Sequence, residues 1–217
     1  MQNYIVKHLK KSNNLMEAIT MTKDFYSVLK ERRSIYGINK EVQVSDERIK
    51  EIVEFAVKYT PSAFNSQSAR LVVLTGESHD RLWEITTDTL RKVVTGDFTD
   101  TQQRMDSFKA GYGTVLFLED EAVVKSLQDQ FALYADNFPI WSNQSSGMHQ
   151  LVVWAALEAE GLGASLQHYN PLIDEEVKQE WNIPTNWKLI AQMPFGNPTL
   201  QPGEKEFMPL EDRVKFY

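Results

Sequence analysis

Pro61-Ser62-Ala63-Phe64-Asn65-Ser66-Gln67-Ser68-Ala69-Arg70 interrupts an otherwise regular helix-then-strand pattern. Upstream of it, Ser45 offers an N-cap, Asp46 and Glu47 occupy the first turn, and Ile49, Ile52, Val53 and Ala56 recur at helical spacing. Downstream, Leu71–Thr75 is a short apolar, β-branched run and reads as a strand. The stretch between them carries Asn65 and Gln67, whose amides both donate and accept and therefore suit the polar edge of a heterocyclic ring. Earlier, Arg32-Arg33-Ser34 closes an amphipathic segment that runs from about Thr22. Two guanidinium groups and a hydroxyl there suit an anion. Read together, the two segments point to a cofactor with a phosphate at one end and a flavin-like ring at the other.

The same alternation continues to the C-terminus. Ser78 is placed to cap a helix carrying Leu82, Trp83, Ile85 and Leu90, and Thr95–Thr101 reads as the loop after it. Gly113–Leu118 is a nearly unbroken apolar run, the pattern of a strand buried on both faces. Glu119-Asp120-Glu121, a charge run closing that strand, reads as a solvated turn and not as a carboxylate site. A helix over Glu121–Tyr134 follows, then one over Ser142–Glu160 with Met148, Leu151, Val152, Ala155, Ala156 and Ala159 on a broad apolar face and Gly161 to stop it. Ala164–Gln167 and Trp187–Phe195 are strand candidates flanking a short helix at Asp174–Trp181. The tail from Gly196 holds three prolines and two glycines and is expected to run extended over another surface. The chain reads as one domain over residues 22–217 with an N-terminal extension at 1–21.

Composition excludes several classes. With 23 basic and 30 acidic residues the net charge is −7, and no basic run exceeds a pair, so a nucleic-acid or anionic-membrane partner is not expected. The absence of cysteine removes thiol catalysis and Cys-based metal sites. Redox chemistry would need a bound cofactor. His8, His79, His149 and His168 are scattered outside any metal-ligand motif and read as surface or hydrogen-bonded residues. Neither Gly-x-Gly-x-x-Gly, a P-loop nor a Gly-x-Ser-x-Gly elbow occurs. No apolar run is long enough for a signal peptide or membrane span, and a cytoplasmic setting is expected.

Four segments, in order, resemble the FMN-dependent nitroreductases, and most closely their short branch named for a fatty-acid repression mutant. They are Arg32-Arg33-Ser34-Ile35-Tyr36, Pro61–Gln67, Gly161-Leu162-Gly163-Ala164-Ser165 and the tail from Lys205 to Glu211, and the likeness spans Phe25 to the C-terminus. The resemblance implies an α+β sheet-and-helix sandwich in an intertwined homodimer, with exchanged C-terminal arms and two flavins at the subunit interface. It implies that Arg32 pairs with the FMN phosphate, that Arg33, Ser34 and Tyr36 add neighbouring contacts, and that Lys205 supplies a second phosphate charge. Asn65 and Gln67 would meet the ring edge or ribityl chain. Backbone amides around Tyr169 and Asn170 would lie beside the reactive nitrogen. Many relatives carry a basic residue where this chain has Tyr36 and an arginine where it has Phe207, so a lighter phosphate clamp is expected.

The implied activity is reduction of nitroaromatic, quinone or similar flat electrophiles with NADPH or NADH, in a ping-pong cycle on the flavin, with no side-chain catalyst. Phe138-Pro139-Ile140-Trp141 and Trp83 are candidate walls for flat substrates. Gln144, Ser145 and Ser146 are placed to approach the partner's flavin. The rival reading is an FMN-binding stress or redox-regulatory protein whose reductase turnover is incidental.

Overall fold

The computed structural model describes residues 23–217. The N-terminal extension, residues 1–21, lies outside the described residues. Helix α1 (Phe25–Glu31) leads through β1 (Ile38–Asn39) to α2 (Asp46–Tyr59), β2 (Ala69–Thr75), α3 (Gly76–Val93), α4 (Thr99–Lys109) and β3 (Gly113–Asp120). Then follow α5 (Glu121–Gln130), α6 (Phe138–Ala159), β4 (Gly163–Ala164), α7 (Asp174–Glu180) and β5 (Trp187–Pro198). Every ladder between these strands is antiparallel, in the order β1-β5-β3-β2 with β4 also on β5. Helices cover both faces, which is the α+β sandwich expected.

All eight residues of β3 are buried. Side chains alternate across a sheet, so Val115 and Phe117 join Ile52, Val53, Ala56, Val153 and Leu157 of α2 and α6 in one core. Leu116 and Leu118 join Leu82, Trp83, Met105, Phe108 and Val177 of α3, α4 and α7 in the other. The unbroken apolar run Val115–Leu118 of β3 thus has a core on each side.

Several boundaries differ from the sequence reading. Helix α3 begins at Gly76 with Thr75 as its cap, ahead of Ser78. Helix α4 begins at Thr99, inside the end of the expected loop, and was not read from sequence because only Met105 and Phe108 of its 11 residues are buried, too few for a visible apolar stripe. Helix α5 ends at Gln130; a 3-10 turn over Ala132–Asn137 leads into α6, which starts at Phe138 with Pro139 in its first turn. The charge run after Leu118 is not a solvated turn. Glu119 and Asp120 are 3% and 8% exposed, because they complete β3 under α6 and the loop between α7 and β5. Asp120 caps α5 through Ala122 N and also accepts from Asn186 Nδ2 and Arg70 Nη2.

Candidate functional site

Asp24 caps α1 by accepting from the amides of Tyr26 and Ser27, and the helix ends with the Arg32 amide on Val28 O. Arg32 and Arg33 therefore leave the helix side by side. The chain then runs along β4, with the Ile35 amide donating to Ala164 O at 2.9 Å. This approach needs Gly163: a Cβ there would lie 2.8 Å from Ile35 Cγ2 and 3.0 Å from its Cβ. The Arg32 guanidinium stacks 4.3 Å from the Trp154 ring of α6. Arg33 Nη1 donates to Gly203 O at 2.9 Å, which ties the C-terminal tail, two residues before Lys205, to the arginine pair. Ser34 is exposed and Lys205 projects over the Phe207 ring.

Tyr36 is exposed, and its ring meets Phe108 at 6.3 Å. Phe108 packs on Trp83, and Trp83 meets Tyr169 edge-on at 5.9 Å, so aromatic contacts join the arginine segment to the Tyr169-Asn170 turn. Burial pushes the Tyr169 phenol up to about 12. The Tyr169 amide is already engaged, donating to Gln192 Oε1 at 2.8 Å, while the Asn170 amide has no partner among the described residues. Gln192 is fully buried in β5 and was not among the residues read from sequence. Its signal was a lone amide inside the apolar run Leu189-Ile190-Ala191-Gln192-Met193.

Asn65 and Gln67 lie elsewhere. Their loop packs on the first half of α6, where Ser145 Oγ donates to Pro61 O at 3.1 Å. Phe64, Asn65 and Gln67 have φ of 57°, 50° and 49°. Left-handed non-glycine residues cost on the order of 1–3 kcal/mol each and persist where surroundings hold them. Here the Gln67 amide is held by Ser62 Oγ, the Gln67 carbonyl by Arg70 Nη1, and Phe64 by four rings: Phe131, Tyr134, Phe138 and Trp141 at 4.9–6.0 Å. The Asn65 and Gln67 side chains are left exposed. Phe138 and Trp141, expected as walls, are thus brought to this loop. Trp83 is not a wall: it is 1% exposed and its Nε1 donates to Thr114 Oγ1 inside the core. Ser145 and Ser146 are buried and Gln144 is exposed.

Two half-sites result. Trp141 touches the amide loop and Trp154 touches Arg32, and both are on α6, so the two groups are separated by about 20 Å along one helix at 1.5 Å per residue. Two surface clefts, of about 480 and 470 Å³, lie apart from both groups; Arg81 and Glu180, an ion pair, line both, and the paired Lys92 and Glu176 line the smaller.

The sequence profile of the Nitroreductase family matches residues 29–197. The chain belongs to the nitroreductase family. It is accordingly a nitroreductase-type oxidoreductase. Among curated relatives, HBN1 of Saccharomyces cerevisiae is 37% identical over 85% of this chain and 93% of its own. FRM2 of the same yeast is 34% identical over 86% of this chain and 94% of its own, in keeping with the branch expected. Nitroreductase CinD from Lactococcus lactis, solved with nicotinic acid, shares 50% identity and superimposes with a TM-score of 0.84 over 89% of this chain and all of its own. CinD has also been solved with chloramphenicol and with 4-nitrophenol. In this nitroreductase chain, then, Arg33 is tied to the tail two residues before Lys205, ring contacts lead from Tyr36 to Tyr169, and the left-handed amide loop with its aromatic surround forms a separate group.

Proposed function

We propose that this protein is an FMN-dependent NAD(P)H oxidoreductase that reduces nitroaromatic, quinone or similar flat electrophiles, admitting the nicotinamide donor and the acceptor in turn to one site. One observation carries the reading. Arg32, Arg33 and Lys205 pair with no carboxylate among the described residues, although the chain has 30 acidic residues. Two guanidinium forks and an ammonium linked through the Arg33–Gly203 contact fit a phosphate dianion. The open Asn170 amide is a donor suited to a ring nitrogen, and the exposed amides of Asn65 and Gln67 suit its polar edge.

When bound, FMN supplies the acceptance and delivery of hydride. The residues hold, orient and enclose. Arg32, Arg33 and Lys205 anchor the phosphate, with Ser34 adding a hydroxyl; Tyr36 offers no charge, so the clamp rests on three cations. Gln192 fixes the Tyr169-Asn170 backbone by accepting from the Tyr169 amide, and the Asn170 amide has no partner among the described residues. Phe64 and Trp141, near-parallel at 20° and 5.9 Å apart, provide a flat apolar wall. The 4-nitrophenol complex of CinD is of the acceptor class proposed.

The same reading makes the protein a homodimer. One chain cannot bring both half-sites to a single flavin across about 20 Å of α6, whereas a second copy can supply the amide loop. Phe25, Tyr26, Ile140, Met148 and Leu151 are large apolar residues left 40–81% exposed, and the tail carries Phe207, Met208 and Leu210 in the same state. Such area is buried by a partner in soluble oligomers.

The test is the visible spectrum of the purified protein, oxidised and then titrated anaerobically with NADPH and NADH. A flavin band that bleaches within seconds supports the reductase. A band that persists favours a flavin-binding regulatory role, and a protein that takes up no FMN removes the cofactor assignment.

A further inference from the structure

Glu119 is an ionisable residue buried where none is needed for packing. It is the penultimate residue of β3, paired with Ala69 at the start of β2. Its Oε2 accepts two hydroxyl hydrogen bonds, from Ser68 at 2.6 Å and from Ser142 at 2.8 Å. Its Oε1 is buried with no partner among the described residues. Ser68 directly follows Gln67, and Ser142 directly follows Trp141. A single carboxylate oxygen therefore ties the residue after the ring-edge amide to the residue after the aromatic wall. Burial raises the Glu119 carboxyl above the usual carboxylate range, while the two serine hydroxyls, His149 of α6 and Arg70 of β2 act in the opposite direction. Apolar residues of that size would fill the space without leaving a buried oxygen unmatched, so the feature the carboxylate uniquely supplies is one acceptor for two hydroxyls on different elements.

We propose that Glu119 is a positioning residue that locks the left-handed loop Ser62–Gln67 to the first turns of α6, so that the Asn65 and Gln67 amides and the Phe64–Trp141 wall face one ligand in a fixed relation. The idea rests on the reading that this loop meets the flavin ring. The loop's other restraints act on its start, its middle and Gln67: Ser145 Oγ on Pro61 O holds the start, the rings of Phe138 and Trp141 on α6 pack on Phe64, and Ser62 Oγ and Arg70 hold Gln67 from within the loop and β2. Between the loop's end and α6, Glu119 is the bridge.

Three variants test it: Glu119→Gln, Glu119→Ala and the double variant Ser68→Ala/Ser142→Ala. The Gln amide oxygen still accepts both hydroxyls, although its NH2 then sits where Oε1 lies unpartnered, so its melting temperature falls while the loop stays in place. The first readout needs no flavin. Amide hydrogen exchange at Asn65, Ser66 and Gln67, whose N–H groups are bonded within the loop, is expected to quicken at least tenfold in Glu119→Ala and in the double serine variant, and to stay within about twofold of wild type in Glu119→Gln. The second readout is the FMN-loaded protein: the same two variants shift the flavin band and raise KM for 4-nitrophenol severalfold with a smaller change in kcat, and Glu119→Gln restores both. If Glu119→Ala does not fold, the double serine variant carries the test alone. Unchanged exchange in the serine variant, or a Gln variant as impaired as the Ala variant, overturns the positioning role. Quickened exchange in a protein that takes up no FMN leaves the role standing and removes the flavin reading instead.

Discussion

Trp83, Thr114, His79 and Lys109 share one chain of hydrogen bonds whose direction is forced. A carbonyl only accepts, so His79 Nε2–H donates to Lys109 O; Nδ1 of the neutral ring then accepts from the Thr114 hydroxyl, whose oxygen in turn accepts from Trp83 Nε1–H. The imidazole is neutral in this arrangement, and burial depresses it to about 4. Between that value and the unfolded value near 6.5, the unfolded chain binds a proton that the folded chain does not. Stability therefore falls as pH drops from about 6.5 towards 4, by on the order of 2–3 kcal/mol from this group. Denaturant midpoints measured at pH 7 and 4.5 should show that loss in wild type, and His79→Gln, less stable at pH 7, should show a flatter slope; equal slopes would remove the assignment. At this scale the sequence reading left His79 as a surface or hydrogen-bonded residue and Trp83 as a candidate wall or a core aromatic, and the structure takes the second alternative for each. Nothing in a helical apolar stripe tells which aromatic faces a core and which a ligand, since both make the same pattern.

Helix α6 decides more of the site than any other element. Its inner face buries Val153 and Leu157 in the core, its first turns hold the amide loop through Ser142 and Ser145, and its far end presents Trp154 to Arg32. Gly161, at φ 78°, ends it and lets the chain turn into β4. The close approach of β4 to the arginine segment rests on Gly163. Gly163→Val is expected to push Ile35 off Ala164 and displace Arg32 and Arg33, raising the Kd for FMN at least tenfold, measured by fluorescence titration, while the melting temperature falls by a few degrees. A variant that binds FMN as tightly as wild type would show that the β4 contact does not set the clamp. The helix and the central strand β3 were legible because long runs of one period leave little choice. Helix α4 was not, because a surface helix with two buried residues has almost no period to read.

A single chain carries the phosphate group and the ring-edge group at opposite ends of α6, so the quaternary reading has a direct genetic test. Arg32→Ala/Arg33→Ala and Asn65→Ala/Gln67→Ala chains should each be nearly inactive alone. Mixed and reassorted, half of the dimers are heterodimers with one intact and one doubly damaged site, so activity should return to about a quarter of wild type. No recovery, with heterodimers verified by native mass spectrometry, would mean that each site is built within one chain.

Charge pattern, helical and strand periods and four short segments determined by themselves the family, the two-faced sheet and the chemistry a ligand must have, because these follow from which residue types are present and how they repeat. Tertiary structure alone decided which of those residues share a place. It separated Arg32 from Asn65, engaged the Tyr169 amide with Gln192, and sank Glu119 and Asp120 from an apparent surface run into the junction of β3, the amide loop and α6. The physical reason is that a charged residue's burial depends on partners distant in sequence: Ser68 is 51 residues from Glu119 and Ser142 is 23, and no local pattern records that they converge.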